Sequence, residues 1–418
     1  MLTKMTGEAR QAARRLALLS EDQKNAVLIK IADLLQDRRN AVLSANEEDV
    51  AEARAAGMAD HLVDRLALTD DRLDSIISDI HRVAELPDPV GEIFDEYTPP
   101  NGLKVHKVRV PLGVIAVIYE SRPNVTLDVA GLALKTGNAV ILRGGSETIR
   151  TNRQLVEVIK QAMMEKDLPA GAVQLIDSPD RKYVSELLKM HQWVDMLIPR
   201  GGAALHKYCR ENSTIPVITG GIGICHLFVD ESADLAAAVK IAQNAKVQRP
   251  SVCNALDTLL VHKTVAGEFL PAVVDRLAKD GVTFRIDENA SEVLNSYPAE
   301  LVQTAGPDDF DTEWLSLVLG IKLVGDLDEA VQHITDHGTQ HSDGILTRTD
   351  ENAQCFISLV DSAAVYVNAS TRFTDGSQLG LGAEVAISTQ RLHARGPMAL
   401  KELTTYKWVI MGDNHIRE

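Results

Sequence analysis

The sequence predicts an α/β protein built on parallel sheets, and two observations carry this prediction. From residue 113 to about 217, continuous apolar runs alternate with helical stretches, and a second alternating block runs from about 224 to 370. Apolar strands that alternate with helices in this way are typical of parallel sheets covered on both faces. The length of 418 residues fits two or three domains.

The chain begins with a helical region over residues 8–90. Ser20-Glu21-Asp22-Gln23 is a capping-box pattern that opens one of these helices, and Ser44 and Thr69 are further candidate N-caps. Residues 95–102 break the pattern, and residues 103–110 then alternate as an imperfect strand. We expect that strand at a sheet edge or between subunits, paired with the β-prone tail at 403–410.

The first alternating block starts with the apolar strand at 114–119. A helix over 126–135 follows and stops at Gly137, which is a typical C′ glycine. A further helix is predicted near 148–166, and the other predicted strands are 139–142, 173–176, 194–198 and 215–217.

The second block repeats this alternation. Its predicted strands are 226–229, 257–262, 321–325 and 364–368, and its predicted helices are 232–245, 264–280, 327–336 and 350–359. Both blocks therefore favour ligand sites in the loops at the carboxyl ends of strands.

The composition disfavours several classes of function. The net charge of −16 disfavours a nucleic-acid or anionic-membrane partner, and 4% aromatic residues is too few for a base-stacking platform. The N-terminus lacks an apolar signal core, and the longest strongly apolar run, 114–119, is too short to span a bilayer. Four cysteines without a CxxC pair fit neither a zinc site nor a disulfide scaffold, so we expect a reduced cytoplasmic protein.

One of these cysteines, Cys253, lies in a short polar loop between a helical stretch and a buried-strand pattern. Arg249 is four residues upstream, and Pro250 stiffens the approach. A reactive cysteine needs partial exposure and an electropositive surround, whereas a structural one prefers apolar burial. The loop by itself leaves both alternatives open.

Two glycine loops follow predicted strands. Arg143-Gly144-Gly145-Ser146 follows one strand, and Arg200-Gly201-Gly202 follows another. In each loop glycines let backbone N–H groups approach a phosphate at the start of a helix. There is no GxGxxG fingerprint, and each loop alone fits an ordinary strand–helix turn. Together, both with arginine, they favour binding of dinucleotide phosphates.

Several motifs spread along nearly the full length resemble the aldehyde dehydrogenase superfamily, and within it the gamma-glutamyl phosphate reductase family. The motifs that carry the resemblance are Pro111-Leu112-Gly113-Val114-Ile115, Glu120-Ser121-Arg122-Pro123-Asn124, Lys135-Thr136-Gly137-Asn138, Ile198-Pro199-Arg200-Gly201-Gly202, Gln248-Arg249-Pro250-Ser251-Val252-Cys253-Asn254 and His341-Ser342-Asp343-Gly344-Ile345. The resemblance implies an aldehyde dehydrogenase-like fold, with two doubly wound α/β domains and a small β oligomerisation flap. It also implies NADPH-dependent reduction of L-glutamyl 5-phosphate to L-glutamate 5-semialdehyde with release of phosphate, a step from glutamate to proline.

The resemblance gives Cys253 the role of nucleophile. Its thiolate would attack the acyl phosphate and form a thioester that is then reduced to the aldehyde. The Cys253 backbone N–H and Asn124 are the implied oxyanion donors, although Asn124 also fits a helix cap. Oxidising members of the superfamily carry a glutamate where this chain has Ile218, before Gly220-Gly221, so the thioester would lack a base for hydrolysis.

The resemblance also indicates how the cofactor is held. Where NAD-preferring members hold the adenosine ribose with a lysine and an acid, this chain has Arg143 and Ser146, which would accept the 2′-phosphate of NADPH. The adjacent Glu147 counts against that preference. Glu313 matches the glutamate that holds the nicotinamide ribose, and its alternative is a solvated acid at a helix cap.

Candidates for holding the substrate are Ser121, Arg122 and Arg372, and for each arginine a plain surface role is the alternative. His333, His337 and His341 are spaced by four, which suggests a metal site. Asp336-His337-Gly338 is expected to end the helix before His341, so we favour a structural turn and no metal.

The resemblance divides the chain into a dinucleotide-binding domain at 1–98 and 111–222, a catalytic domain at 223–385, and oligomerisation strands at 99–110 and 395–418. It implies a homo-oligomer and a glutamate 5-kinase as the supplier of the substrate, and leaves open whether the two enzymes meet. Two rival functions remain: a hydrolytic aldehyde dehydrogenase, which Ile218 disfavours, and a non-catalytic subunit, which Cys253 disfavours.

Overall fold

The computed structural model describes residues 1–220 and 222–417, apart from the side chain of His61. Gly221 of the Gly-Gly pair therefore lies outside the described residues. The helices are α1 (Leu2–Leu16), α2 (Glu21–Asp37), α3 (Arg39–Ala55), α4 (Asp60–Leu66), α5 (Asp70–Glu85), α6 (Asn124–Lys135), α7 (Ile149–Glu165), α8 (Lys182–Leu187), α9 (Ala203–Asn212), α10 (Leu235–Val247), α11 (Ala266–Ala278), α12 (Glu288–Leu294), α13 (Leu327–His337) and α14 (Asp350–Leu359).

The strands alternate with these helices along most of the chain. They are β1 (Ile93–Tyr97), β2 (Lys104–Pro111), β3 (Val114–Tyr119), β4 (Ala139–Arg143), β5 (Val173–Leu175), β6 (Met196–Arg200), β7 (Cys225–Val229), β8 (Leu256–His262), β9 (Thr283–Ile286), β10 (Val302–Thr304), β11 (Val318–Val324), β12 (Ser342–Leu346), β13 (Ala364–Val367), β14 (Ile387–Ser388), β15 (Gly396–Pro397) and β16 (Thr404–Met411). Within the described residues, no helix is both long enough and apolar enough to cross a bilayer.

The chain forms two compact units, of which the first comprises Met1–Thr219, Gly380–Ala386 and Met398–Glu418. Its centre is a four-stranded parallel sheet in the order β5-β4-β3-β6, against which α1, α6 and α7 pack. The strand at 114–119 is buried at every residue, as its continuous apolar run predicts. Residues 215–217 form only a single bridge, from Val217 to Leu197, because Pro216 has no N–H to extend the ladder.

The N-terminal helices begin largely where their caps predict. Ser20 and Gln23 form the reciprocal capping box of α2, and the Thr69 hydroxyl accepts the Arg72 N–H at the start of α5. The prediction that Ser44 is an N-cap is wrong, since α3 already begins at Arg39 and Ser44 lies exposed within it.

A second, antiparallel sheet in the first unit has the order β1-β2-β16. The predicted pairing of the tail with residues 103–110 is confirmed, with register from Thr404 opposite Pro111 to Met411 opposite Lys104. The prediction that 103–110 lies at an edge is wrong for this sheet, because Ile93–Tyr97 forms a further strand on its other side. That strand is almost entirely exposed, so it lacks the apolar signal of a core strand.

The Lys135-Thr136-Gly137-Asn138 motif joins separate parts of the first unit. The fully buried Lys135 ammonium donates to Asn25 Oδ1 at 2.6 Å and to the Ala84 carbonyl at 3.0 Å. Asn138 accepts the Gly113 N–H and donates to the Leu403 carbonyl, both at 2.8 Å. A second buried lysine, Lys24, pairs with Asp88 at 2.6 Å.

The second unit comprises Gly220–Leu379 and Ile387–Pro397. Its main sheet has seven parallel strands in the order β10-β9-β11-β8-β7-β12-β13. The short strands β14 and β15 form a separate antiparallel pair. Adjacent residues of β8 face opposite ways: Leu259 packs in an apolar layer under α10, α11 and α12, and Leu260 packs in a layer under α13 and α14. The predicted α/β fold with parallel sheets covered on both faces is confirmed here.

Candidate active site

Cys253 lies in the loop between α10 and β8, on the second unit, and is partly exposed. The next residue, Asn254, is buried and anchors the loop. Its side-chain amide donates to the Thr374 carbonyl at 2.9 Å, and its backbone carbonyl accepts the Thr371 hydroxyl at 2.7 Å. The side chain and the backbone of Asn254 thus both fix the loop to the 371–374 segment. This arrangement fits a cysteine presented to a ligand better than one buried for packing.

Two arginines lie near the Cys253 loop. The Arg372 Nε donates to Gln248 Oε1 at 2.9 Å, which holds the guanidinium over the start of the loop. Partial burial lowers the pKa of Arg372, and the positive charge of Arg249 lowers it further, while the negative charge of Asp375 acts in the opposite direction. Arg249 and Arg372 thus place two positive charges at this loop, which is the surround that a reactive cysteine requires.

The loop that precedes β7 packs directly on the backbone of Cys253. A Cβ added at Gly223 would lie 1.7 Å from the Cys253 carbonyl oxygen, so only glycine fits at this approach. The Cys225 thiol donates to the same carbonyl at 3.2 Å. Sequence reasoning missed Gly223, because a close approach between segments 30 residues apart leaves no local pattern.

Glu313 is half-buried and accepts the Gly223 N–H at 2.9 Å. Burial raises the pKa of Glu313, the Gly223 N–H opposes this rise, and the nearby charge of Asp257 adds to it. Glu313 and Cys253 therefore contact the same glycine, which brings these two predicted site residues together within the second unit.

The His341-Ser342-Asp343 motif is buried behind this loop. His341 Nδ1 bonds the Ser342 hydroxyl at 2.8 Å, and Ser342 bonds Thr374 at 2.6 Å, in the segment that anchors Asn254. Asp343 bonds His226 Nδ1 at 2.8 Å, and burial lowers the pKa of His341 to about 4. Ser342 and Asp343 belong to strand β12, so the expected structural turn is wrong for these two residues. The motif contacts the segment that anchors Asn254 through the bond from Ser342 to Thr374.

The three histidines at 333, 337 and 341 do not lie on one helix face. The rings of His333 and His337 are 4.4 Å apart on α13, whereas His341 follows the end of that helix. Among the described residues, no group of three or more His, Cys, Asp or Glu side chains could hold a metal ion.

In the first unit, the loop after β4 presents the first predicted phosphate site. Arg143 donates to the Gly144 carbonyl at 2.8 Å and to the Pro179 carbonyl at 3.3 Å, and Ser146 is exposed. A Cβ at Gly145 would lie 2.1 Å from the Glu147 carboxylate. Partial burial lowers the pKa of Arg143; the Glu147 charge opposes this effect, and the Arg181 charge adds to it.

Glu147 and Ser121 bond each other. The backbone N–H and the hydroxyl of Ser121 donate to one Glu147 oxygen at 2.8 and 2.7 Å, and Ser121 has a left-handed φ of 40°. Ser121 therefore contacts the cofactor loop, and its role in substrate binding stays a prediction. The neighbouring Arg122 is exposed.

The loop after β6 is arranged differently. The Glu120 carboxylate accepts the Gly202 N–H at 3.1 Å, and a Cβ at Gly201 would lie 2.3 Å from the same oxygen. A carboxylate of the chain thus already lies at the start of α9, where a phosphate was predicted. The assignment of Arg200, Gly201 and Gly202 to cofactor binding stays a prediction.

Asn124 is the first residue of α6 rather than its N-cap, and its amide donates to Asp128 Oδ2 at 2.8 Å, one turn on. Burial raises the pKa of Asp128 to about 6, while the Asn124 amide opposes this rise. Its role as an oxyanion donor stays a prediction. Ile218 is buried and donates its N–H to the Leu197 carbonyl at 2.8 Å.

Comparisons with known proteins identify the family of the chain. Residues 2–291 match the model of the aldehyde dehydrogenase family. The gamma-glutamyl phosphate reductase of Escherichia fergusonii is 59% identical over 417 residues, which cover 100% of both chains. The crystal structure of gamma-glutamyl phosphate reductase from Thermotoga maritima is 47% identical, covers 100% of both chains and superposes with a TM-score of 0.97.

A more distant structure shares the fold. An acetylating aldehyde dehydrogenase from Geobacillus thermoglucosidasius is 17% identical, covers 100% of this chain and 97% of its own, and has a TM-score of 0.68. The predicted aldehyde dehydrogenase-like fold is thereby confirmed. The chain belongs to the aldehyde dehydrogenase family and, within it, to the gamma-glutamyl phosphate reductases, which are oxidoreductases.

Proposed function

We propose that this protein reduces L-glutamyl 5-phosphate to L-glutamate 5-semialdehyde with NADPH, releasing phosphate, in the biosynthesis of proline from glutamate. The observation that carries the proposal is the partly exposed Cys253 in a backbone-fixed loop beside Arg372. The name of the relative from Escherichia fergusonii, 59% identical from end to end, supports the choice of substrate.

The residues of the first unit fit a dinucleotide with a 2′-phosphate. The loop after β4 ends a parallel strand, its two glycines are buried against Asn152 and Glu147, and Arg143 Nε is a buried donor without a hydrogen-bond partner in the described chain. Arg143 and Ser146 would hold the 2′-phosphate, with Gly145 close to it, and Glu313 would hold the nicotinamide ribose. Glu147 does not count strongly against NADPH, because its carboxylate already accepts two hydrogen bonds from Ser121. Bound NADPH supplies the hydride.

Cys253 forms and then loses one covalent bond in this scheme. Its thiolate attacks the acyl carbon, the bond from that carbon to the phosphate oxygen breaks, and phosphate leaves with the electron pair. Hydride addition to the resulting thioester gives a thiohemiacetal, and cleavage of its carbon–sulfur bond releases the aldehyde and restores the thiolate. Arg372 and Arg249 favour the thiolate and the departing phosphate by their charge.

Each tetrahedral intermediate carries an oxyanion that needs fixed donors. We assign these donors to the Cys253 backbone N–H and to Asn124. The Asp128 carboxylate fixes the orientation of the Asn124 amide at 2.8 Å, which leaves the second amide hydrogen for a ligand. The buried Ile218 supplies no carboxylate to activate water, so the thioester persists until it is reduced.

The substrate carries an amino group, a carboxylate and a phosphate. Arg372 and Arg122 are the cations that we assign to its anionic groups, with Ser121 as a hydroxyl donor. Acyl phosphates are labile, so a glutamate 5-kinase is the partner that would supply this one, and a cytoplasmic location fits both enzymes.

We also propose that the protein is a homo-oligomer. The β16 strand is an edge of its sheet, and Tyr406, Trp408 and Ile410, which point to one side of it, are 47%, 51% and 60% exposed. An unpaired apolar edge strand is otherwise a site of aggregation, so a second copy of the chain is the occupant that we expect.

The reverse reaction tests the function directly. Purified protein is mixed with glutamate 5-semialdehyde and NADP or NAD, with and without inorganic phosphate, and formation of reduced cofactor is followed by absorbance. We expect reduction of NADP that depends on phosphate and is faster than that of NAD. Oxidation without phosphate would instead support a hydrolytic aldehyde dehydrogenase.

Two cysteine variants identify the nucleophile. Cys253→Ala should abolish turnover while NADPH binding stays near normal, and Cys355→Ala, at an exposed cysteine of α14, is the matched control that should keep full activity. Residual turnover of Cys253→Ala above about a few per cent would place the nucleophile elsewhere. A wild-type protein without turnover, whose thiols react equally with and without NADPH, would support a non-catalytic subunit.

A further inference from the structure

A buried ion pair lies directly behind the Cys253 loop. Asp257, on β8, is 2% exposed, and Lys246, in the last turn of α10, is 0% exposed. Lys246 Nζ lies 3.6 Å from Asp257 Oδ1 and has no hydrogen-bond partner in the described residues. A buried pair of this kind is weak support for stability, because burial of two charges costs about as much as their attraction returns.

The contacts of Asp257 lead to both predicted catalytic elements of the second unit. Its Oδ1 accepts the backbone N–H of Trp314 at 3.1 Å, and Trp314 directly follows Glu313. Glu313 in turn accepts the Gly223 N–H at 2.9 Å, and Gly223 packs on the Cys253 carbonyl. A continuous chain of contacts therefore connects the ion pair with Glu313 and with the nucleophile.

The charge of Asp257 is supported from several directions. Burial raises the pKa of Asp257 to about 6, and the Lys246 charge and the backbone N–H groups of Trp314 and Cys225 oppose this rise. Cys225 is also the residue whose thiol donates to the Cys253 carbonyl. The Asp257 carboxylate therefore accepts hydrogen bonds from two segments: one carries Glu313, and the other contacts the Cys253 carbonyl through Cys225.

We propose that Asp257, supported by the charge of Lys246, is a positioning residue that holds Glu313 at the place where it and Cys253 contact the same glycine, Gly223. Asp257 contacts neither substrate nor cofactor in this scheme and acts through the peptide of Trp314. The inference rests on the proposed function, and in particular on Glu313 as the ligand of the nicotinamide ribose.

The test compares binding of the whole cofactor with binding of its adenosine end. Dissociation constants for NADPH and for adenosine 2′,5′-bisphosphate, which lacks the second ribose, are measured by fluorescence titration or calorimetry for Asp257→Ala and Glu313→Gln. Both variants should weaken NADPH binding roughly tenfold, the value of one hydrogen bond to a charged group, and leave adenosine 2′,5′-bisphosphate within about twofold. The double variant should bind NADPH as tightly as the single variant with the lower affinity, because both substitutions affect the same contact.

Asp309→Ala is the matched control. Asp309 accepts the Gly306 N–H at 2.8 Å in the same segment but does not bond the Glu313–Trp314 peptide, so its variant should keep the wild-type ratio of the two dissociation constants. If Asp257→Ala does not fold by circular dichroism, Lys246→Met carries the test. It should raise the ratio of the dissociation constant of NADPH to that of adenosine 2′,5′-bisphosphate.

The proposal is overturned if the folded Asp257 variant, or Lys246→Met in its place, keeps the wild-type ratio. It is also overturned if the losses of NADPH affinity caused by the Asp257 and Glu313 substitutions add in the double variant. Failure of the proposed function has a different signature, because the unsubstituted enzyme would then show no phosphate-dependent reduction of NADP.

Discussion

Substitution of Gly223 by alanine tests whether the contact with the Cys253 backbone sets the reactivity of the thiol. The added Cβ would lie 1.7 Å from the Cys253 carbonyl oxygen and 2.6 Å from its carbonyl carbon, whereas ordinary contacts of a Cβ begin at 3.4 Å. Both atoms belong to the backbone, so neither can rotate away as a side chain would. One of the two segments must therefore move by more than about 1 Å.

A displacement of this size should affect catalysis more than stability. A misplacement of about 1 Å can cost roughly a hundredfold in rate, and overpacking typically costs about 1–3 kcal/mol of folding free energy. We therefore expect Gly223→Ala to lower kcat/KM at least roughly a hundredfold in the phosphate-dependent reverse assay. Thermal unfolding should show a folded protein with a modestly lower Tm.

Gly267→Ala is the matched control. Gly267 lies in α11, and a Cβ there would meet nothing within 4 Å. Alanine should raise helix stability by up to about 1 kcal/mol and leave kcat/KM unchanged. A Gly223→Ala enzyme as active as the Gly267→Ala enzyme would refute the argument that this contact positions the nucleophile.

Three further predictions address the cofactor, the substrate and pH. Arg143→Gln should lower the ratio of kcat/KM for NADP to that for NAD roughly tenfold or more, because a charge-assisted bond to the 2′-phosphate is lost; an unchanged ratio would remove Arg143 from that role. Arg372→Ala should raise the KM of the semialdehyde or phosphate severalfold, and an unchanged KM for both would exclude Arg372. Burial raises the pKa of Asp128 from 3.8 to about 6, so the folded protein retains this proton at pH values at which the unfolded chain has already released it. The carboxyl should therefore cost about 3 kcal/mol of stability, and this cost develops between about pH 4 and 6. The Tm of Asp128→Asn relative to wild type should therefore increase from pH 4 to pH 7, and a constant difference would contradict the assignment.

Elements with a strong local signal could be predicted from the sequence. The buried strand at 114–119 and the capping box at Ser20 depend on neighbouring residues alone, and both are confirmed. The exposed strand Ile93–Tyr97 lacks an apolar pattern, and β10 exposes two of its three residues, so neither was predicted. Ser44 has the right residue type for a cap, but α3 begins five residues earlier, at Arg39.

In the candidate site as well, a residue with a local sequence signal could be predicted, and contacts set by the tertiary structure could not. Cys253 could be singled out because its loop combines a cysteine with Arg249 and a stiffening proline. The partners of the other candidates are set by tertiary contacts: Asn124 bonds Asp128, and Ser121 bonds Glu147. A sequence names such residues but cannot show which of their polar atoms are already engaged.

The buried lysines have a practical consequence for experiments on this chain. The side chains of Lys24, Lys135 and Lys246 are each 0% exposed, so amine-acylating reagents can reach them only when the surrounding helices open. Lys24 and Lys135 lie in one compact unit and Lys246 in the other. The order in which mass spectrometry detects their acylation would therefore reveal which half of the molecule opens first, without any engineered probe.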